Sequence, residues 1–149
     1  MFFLNIHSRG SYPADALSNF AAHAFELDGI PIAGMEGFLQ SLKTSDPETQ
    51  RQICALAGKE AKRIGTTCTW DRVLFWNGQP SDRRSAAYRQ LIERAYRAML
   101  CNPEFTRALT ASKGKLLLHT IGKWRRSKTV LTWWEFCGLL MKLRKEILS

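Results

Sequence analysis

Three polar side chains recur at helical spacing near residue 40. Glu36, Gln40 and Lys43 fall at i, i+4 and i+7, and a helix brings such positions onto one stripe. A carboxylate on this stripe can stabilise a positive charge or activate a water molecule, and an amine can bind a phosphate or attack a carbonyl carbon. The spacing allows two interpretations of the stripe, a solvated face or one wall of a pocket.

The helix that carries this stripe has a second, apolar stripe about 100° away, which is typical of a face packed into a core. The apolar positions are Met35, Phe38, Leu39 and Leu42. Gly34 and Gly37 lie at or near the start of the helix, although a glycine inside a helix costs about 1 kcal/mol relative to alanine. We therefore expect another backbone or a ligand to approach closely there, unless Gly34 simply precedes the helix.

Cap and turn signals predict the elements of the N-terminal half. The predicted order is a strand at 2–7, a loop at 10–19, a hairpin at 25–32, a helix from 46 to about 58 and a shorter helix at 59–64. Asp28-Gly29 is the turn dipeptide of the hairpin. Asp46 and Pro47 are a helix cap and a first-position proline, and Gly58 and Gly65 are helix-end signals.

The C-terminal half reads as helices with one short strand. The predicted order is a turn at Asn77-Gly78, a helix from 82 to about 101, a further helix after Asn102-Pro103, a buried strand at 115–120 and a C-terminal helix. Thr132 and Glu135 form the T-x-x-E capping-box pattern that begins the last helix. No pattern assigns the rest of 66–81. The sequence thus predicts one α+β domain over 1–149, mostly helical with a few short strands and without repeats.

Charge and cysteine usage narrow the function classes. Lys and Arg outnumber Asp and Glu 22 to 13, which gives a net charge of +9 and favours phosphate-bearing partners, although a merely solvated surface is the alternative. Residues 107–128 contain seven of the basic residues and no acidic one. Four scattered cysteines lack metal-ligand spacing, and we interpret them as buried free thiols.

The N-terminal residues and the hydropathy suggest a compartment. Residues 1–7 have no basic leader and too short an apolar run for a signal peptide, and no stretch of about 18 apolar residues occurs. We therefore expect a cytoplasmic protein without membrane contact.

A set of short motifs, taken in order, resembles the NADAR or YbiA-like family over nearly the whole chain. The motifs are Ser18-Asn19-Phe20, Asp28-Gly29, Glu36 with Gln40 and Lys43, Lys62 with Gly65, Asn102-Pro103, Leu118-His119, and the LLMKLR run at 139–144. Three features depart from the family pattern, and one of them is the stretch at 66–81, which follows a pattern of its own. Gly37 replaces the histidine that usually follows the helix glutamate, and GKWRRSKTVLTWWEF replaces a D-x-x-W-G and G-x-N segment before the last helix.

The resemblance implies a YbiA-like fold and hydrolysis of N-glycosidic bonds of ribosylated bases, with no metal or other cofactor. Two substrate classes remain open, ADP-ribose on guanine in nucleic acid and ribosylamino-pyrimidine intermediates of the riboflavin pathway. The basic segment favours the first, with an ADP-ribosylating toxin as functional partner. A non-catalytic module that binds ADP-ribose or nucleic acid is the alternative to an enzyme, and so is a sequence-blind basic nucleic-acid binder.

The same resemblance assigns roles to individual residues. Glu36 would stabilise positive charge on the sugar, and Lys62 would act as acid or nucleophile from a partly desolvated position. Lys43 would bind a phosphate or the distal ribose. The other expected substrate-binding residues are Ser18, Asn19, Phe20, Gln40, Trp76 and His119. The other tryptophans are further candidates to stack on a nucleobase: Trp70, Trp124, Trp133 and Trp134. For all five tryptophans a place in the core is the alternative.

Overall fold

The computed structural model describes residues 2–149, which form seven helices and six short strands. The helices are α1 (Ala14–Leu17), α2 (Met35–Ser41), α3 (Pro47–Cys54), α4 (Gly58–Gly65), α5 (Ala86–Met99), α6 (Pro103–Ala111) and α7 (Trp133–Leu148). The strands are β1 (Phe3–Asn5), β2 (Phe25–Leu27), β3 (Ile30–Ile32), β4 (Val73–Trp76), β5 (Gln79–Asp82) and β6 (Leu116–Leu118). The predicted α+β class, mostly helical with short strands, is confirmed.

The strands pair two by two. β1 pairs in parallel with β6, which joins the N-terminal segment to the segment before α7. β2–β3 and β4–β5 are antiparallel hairpins. Their turns, Asp28-Gly29 and Asn77-Gly78, have positive φ at both positions, as the tight two-residue hairpin turn requires. The first hairpin is therefore confirmed, whereas the sequence predicted only the turn of the second.

Several predicted boundaries differ from the observed ones. The short helix α1 lies within the predicted loop and buries Ala14 and Leu17. α3 ends at Cys54, before the predicted Gly58, because the chain turns there and the Cys54 carbonyl accepts a hydrogen bond from the Ala33 N–H. α5 begins after Ser85, whose hydroxyl accepts from the Tyr88 N–H as a cap. β6 is shorter than predicted, and Leu117 is its one buried residue.

Helix α2 lies at the centre of the molecule, and all seven of its residues are buried. It packs against α3 and α4. A side chain at Gly37 would collide with the Leu56 carbonyl oxygen and lie 3.0 Å from the Ile53 carbonyl oxygen. The expected close approach of another backbone is therefore found at Gly37, and it explains why no histidine stands here.

An ion pair between a buried arginine and a half-buried glutamate fixes the start of α7. The predicted capping box is present, with Thr132 and Glu135 exchanging hydrogen bonds. Arg83, which is 2% exposed, donates to Glu135 at 2.6 Å and to the Thr129 carbonyl at 2.9 Å. Burial alone would raise the pKa of Glu135, but the hydrogen bonds from Arg83 and Thr132 outweigh it and lower the pKa. Segment 129–135 is thus anchored to the residue that follows β5.

The four cysteines are free, but not all of them are buried as predicted. Cys54 and Cys137 are buried, Cys68 is half-buried, and Cys101 is exposed after the end of α5. Among residues 2–149, no group of three or more His, Cys, Asp and Glu side chains is placed to hold a metal ion. In the same range, no helix is both long and apolar enough to cross a membrane.

Candidate functional site

A cavity of about 360 Å³ lies on the polar side of α2. Residues from distant parts of the chain line it: the Ser18–Phe20 segment, α2, α4 with the residues after it, and the segment from His119 to Phe136. Its volume is in the range of small-molecule sites. Glu36, Gln40 and Lys43 all contribute to the wall, so the polar stripe of the sequence is a pocket wall and not a solvated face.

Glu36 lies in the first turn of α2 and is 7% exposed. Its backbone N–H donates to the Asn19 carbonyl at 3.1 Å, and its Oε2 accepts from Gln40 Nε2 at 2.6 Å. Gly65 makes room for the Gln40 side chain, because a Cβ there would overlap it. One carboxylate oxygen is therefore held by Gln40, which leaves the other for a bound group.

Gln40 also has an acceptor without a hydrogen-bond partner. Its Oε1 is buried and has no hydrogen-bond partner among residues 2–149. A buried polar atom without a partner costs free energy. The oxygen lies against Gly65, where an added Cβ would be 1.9 Å away from it.

Two lysines predicted for the site line the cavity in different environments. Lys43 is half-buried and donates from Nζ to the Gly65 carbonyl at 3.2 Å. Burial lowers the pKa of Lys43, and the charges of Lys62 and Lys123 add to this shift, while Cys68 and Glu36 oppose it. Lys62 is exposed although it lines the cavity. The expectation of a desolvated Lys62 is therefore wrong, because it is Lys43 that the fold buries.

The Ser18-Asn19-Phe20 segment also lines the cavity. The Ser18 hydroxyl accepts from the Phe20 N–H at 3.1 Å, which shapes the turn. The Asn19 side chain accepts from the Tyr96 hydroxyl at 2.6 Å through Oδ1. Because Asn19 Nδ2 donates no hydrogen bond within the described part of the chain, the amide is oriented with a free donor for a ligand.

His119 lines the cavity from the end of β6, and its tautomer is fixed by a carbonyl. Nδ1 lies 2.8 Å from the Ile6 oxygen, which can only accept, so Nδ1 carries the hydrogen. The ring packs edge-on against Phe136 at 5.5 Å between centroids. In the neutral ring Nε2 is therefore an acceptor, and only the protonated ring would donate to a phosphate.

Trp76 does not line the cavity, so its predicted place in the site is wrong. It is 6% exposed in β4, where it packs edge-on against Phe38 at 5.1 Å. Its Nε1 donates to Asp28 Oδ2 at 2.8 Å. Strand alternation directs Trp76 into the core together with Leu74. Trp70, which precedes β4, lines the cavity instead of Trp76.

Several lining residues were not predicted, and most of them lie in segment 119–133. The main ones are Ile121, Gly122, Lys123, Lys128 and Thr132. The basic stretch without acidic residues could have indicated that this segment binds a ligand. The segment has no helical or strand periodicity, however, so the sequence does not predict where it lies in the fold. Gly122 is required here, because a Cβ would lie 2.6 Å from the His119 ring and 2.9 Å from Trp133.

The arrangement combines one negative and several positive groups. The Glu36 carboxylate shares the cavity with Lys43, Lys62, Lys123 and Lys128, and Trp70 and Trp133 supply aromatic surface. A carboxylate can stabilise a cationic centre, while ammonium groups bind phosphates. The cavity thus combines groups that can bind phosphates, an aromatic ring and a centre of positive charge.

Comparisons of the sequence give one family and one relative. Residues 11–145 match the family described as bacteriophage protein GP30.3. The chain is also 42% identical over 149 residues to an uncharacterized 17.1 kDa protein in the Gp30-rIII intergenic region of Enterobacteria phage T4. That match covers 97% of this chain and 98% of the phage T4 protein.

Comparison of the structure identifies a similar fold. The NMR structure of the E. coli protein YbiA matches with a TM-score of 0.67 and 22% sequence identity. The match covers 99% of this chain and 85% of the YbiA chain. It confirms the YbiA-like fold that the sequence motifs implied.

Proposed function

The chain belongs to the bacteriophage protein GP30.3 family, and we propose that it hydrolyses N-glycosidic bonds, removing ADP-ribose from ADP-ribosylated guanine in nucleic acid. The observation that carries this proposal is the Glu36 carboxylate, held by Gln40 in a cavity whose other charged groups are lysines. The activity would reverse the product of an ADP-ribosylating toxin, which is the functional partner we propose.

The reaction requires a carboxylate beside the sugar. As the bond from C1 to the base nitrogen breaks, its electron pair leaves with the base, and positive charge develops on C1 and the ring oxygen. Glu36 stabilises this charge or takes a proton from the attacking water. The water oxygen bonds to C1, and the base nitrogen receives one proton.

The lysines divide the remaining work. Lys43 is half-buried with a lowered pKa, which suits an amine that supplies the proton to the leaving base or captures a ring-opened ribose aldehyde as a Schiff base with loss of water. Lys62 and Lys123 are exposed at the cavity and suit the phosphates. The Asn19 Nδ2 donor suits a sugar hydroxyl or a base edge.

The seven basic residues between 107 and 128 favour nucleic acid over a small pyrimidine intermediate. A small intermediate carries about one phosphate, whereas modified nucleic acid presents many to such a surface.

One experiment tests both activity and substrate. The protein is incubated with DNA that carries ADP-ribose on guanine, and separately with ribosylamino-pyrimidines, and the products are identified by mass spectrometry. We expect free ADP-ribose and unmodified guanine from the first substrate. Products from the pyrimidines alone would reassign the substrate, and calorimetric binding of ADP-ribose without turnover would make the protein a binding module.

A further inference from the structure

A group of two tryptophans and two arginines lies at the surface beside the cavity. We call Trp124, Arg125, Arg126 and Trp134 the Trp–Arg surface. Residues on both sides of 124–126 line the cavity, Lys123 before and Lys128 after them, and Trp133, which precedes Trp134, lines it as well. The surface is therefore continuous with the cavity, although none of its four residues lines it.

The two indole rings are exposed but held in place. Trp124 is 61% exposed and Trp134 is 41% exposed. The Trp134 Nε1 donates to the Trp124 carbonyl at 2.9 Å. The Arg125 guanidinium lies 4.7 Å from the Trp124 ring centroid, and that of Arg126 lies 5.0 Å from the Trp134 centroid. Both rings are therefore exposed to solvent even though an arginine guanidinium packs against each of them.

The core does not need these rings, since both remain open to water. Exposed aromatic side chains interleaved with cations are the combination that proteins use to bind unpaired nucleic acid, where bases stack on the rings and cations contact phosphates. The local charge is consistent with binding to nucleic acid, because residues 107–128 carry seven basic residues and no acidic one. A duplex would engage the cations but keep its bases stacked on one another, away from the indoles.

We propose that the Trp–Arg surface binds single-stranded nucleic acid, with bases stacked on Trp124 and Trp134 and phosphates against Arg125 and Arg126. The binding itself does not depend on catalysis. Its use, to hold a strand whose modified base enters the cavity, rests on the proposed function.

The test is fluorescence anisotropy of a labelled unmodified 20-nucleotide oligothymidylate, compared with a duplex of equal length, at low and moderate salt. We expect tighter binding of the single strand, quenching of tryptophan fluorescence and weakening with salt. Trp124→Ala should weaken single-strand binding by about tenfold or more, and Trp124→Phe by less. The double variant Arg125→Ala/Arg126→Ala should also weaken binding and reduce its salt dependence.

Matched variants control for aromatic area and charge. Phe2 is 86% exposed, so Phe2→Ala removes an exposed aromatic ring elsewhere, and Arg51→Ala/Lys59→Ala removes two exposed charges from other helices. Both should leave binding nearly unchanged, and circular dichroism checks that each variant is folded. Trp134→Ala is the second aromatic variant, should any other variant fail to fold.

Three outcomes would overturn the proposal: equal affinity for duplex and single strand, single-strand binding that survives Trp124→Ala and Trp134→Ala in folded protein, or binding to phosphatidylglycerol vesicles but not to the oligonucleotide. Because the oligonucleotide is unmodified, failure of this test is separate from failure of the proposed hydrolysis.

Discussion

Glu36 is oriented by its neighbours before any substrate arrives. Gln40 Nε2 holds one carboxylate oxygen at 2.6 Å, and the Asn19 carbonyl holds the backbone N–H. Gln40 thus acts through Glu36 as a positioning residue, in a slot that Gly65 leaves open. Preorganisation of this kind lets the carboxylate stabilise charge without reorganising during the reaction.

Glu36→Gln should abolish turnover and leave the melting temperature nearly unchanged. The amide keeps the shape of the side chain and still accepts from Gln40, but it lacks the charge that a developing oxocarbenium ion needs. Release of ADP-ribose and thermal melts measure the two effects. Glu60→Gln, at an exposed position of α4, is the matched control and should retain activity. A near-normal rate in Glu36→Gln would show that Glu36 is structural.

Lys43→Ala should mainly lower kcat, whereas Lys62→Ala should mainly raise KM. The reason is that Lys43 is the half-buried amine with the lowered pKa, while Lys62 is exposed and suits ground-state binding of a phosphate. Steady-state kinetics separate the two. Borohydride trapping followed by peptide mapping should place any sugar adduct on Lys43, and an adduct on Lys62 would reverse this division of roles.

Helix α2 shows what local sequence can predict about a site. The two stripes follow from the 3.6-residue period of α2 and of the turn that follows it, which holds Lys43. The burial of Phe38 and the common placement of Glu36, Gln40 and Lys43 could therefore be inferred without a structure. The role of Gly37 could be anticipated only as a need for space. That the space is filled by the Leu56 carbonyl depends on how α3 turns into α4.

Gly37→Ala should destabilise the protein although alanine is the better helix former. The added Cβ would collide with the Leu56 carbonyl, so the backbone of the α3–α4 turn must move. Gly138→Ala is the matched control, because nothing lies within 4 Å of its Cβ position in α7. It should stabilise by about 0.5–1 kcal/mol. Urea unfolding measures both, and equal effects would mean that the close contact is not maintained in solution.

Arg83→Ala should lower the free energy of unfolding by about 3 kcal/mol, the lower end for a broken buried pair. The Glu135 side chain loses its charged partner, but it is 15% exposed and keeps its hydrogen bonds to Thr132. Arg72→Ala, which removes an exposed ion pair with Asp82, should cost about 1 kcal/mol or less. Chemical denaturation measures both values. A small effect of Arg83→Ala would mean that water replaces the arginine.

The ion pair between Arg83 and Glu135 should make the free energy of unfolding depend on pH in the acidic range. The pKa of Glu135 is lowered in the folded protein relative to its ordinary value of 4.5. Its stabilising contribution is therefore complete above pH 4.5 and is lost as the pH falls through the lower folded pKa. The difference in stability between the native protein and Arg83→Ala should shrink over that acidic range.

The cavity as a whole is less predictable than α2. Its second wall, segment 119–133, has neither helical nor strand periodicity, and the Arg83 anchor that fixes it lies about 50 residues away in sequence. The finding that Trp70 lines the cavity, and not the predicted Trp76, also depends on tertiary structure. Both tryptophans lie in the stretch without a clear pattern, and the pairing of β4 with β5 decides which ring enters the core. Ordered motifs identified the family-like set of polar residues, whereas tertiary packing decided their surroundings.

Because the cavity is assembled from distant segments, the unfolded chain cannot bind its ligand, and binding should stabilise the whole fold. ADP-ribose at 100 times its Kd should raise the free energy of unfolding of the Glu36→Gln variant by about 2.7 kcal/mol. For a chain of this size that corresponds to an increase in Tm of about 5–11 °C. When Lys62→Ala is added to the Glu36→Gln variant, a higher concentration of ADP-ribose should be needed for the same increase in Tm. Thermal melts over a ligand series measure this, with ribose as the control without phosphates, and an unchanged Tm at millimolar ADP-ribose would show that the cavity does not bind it.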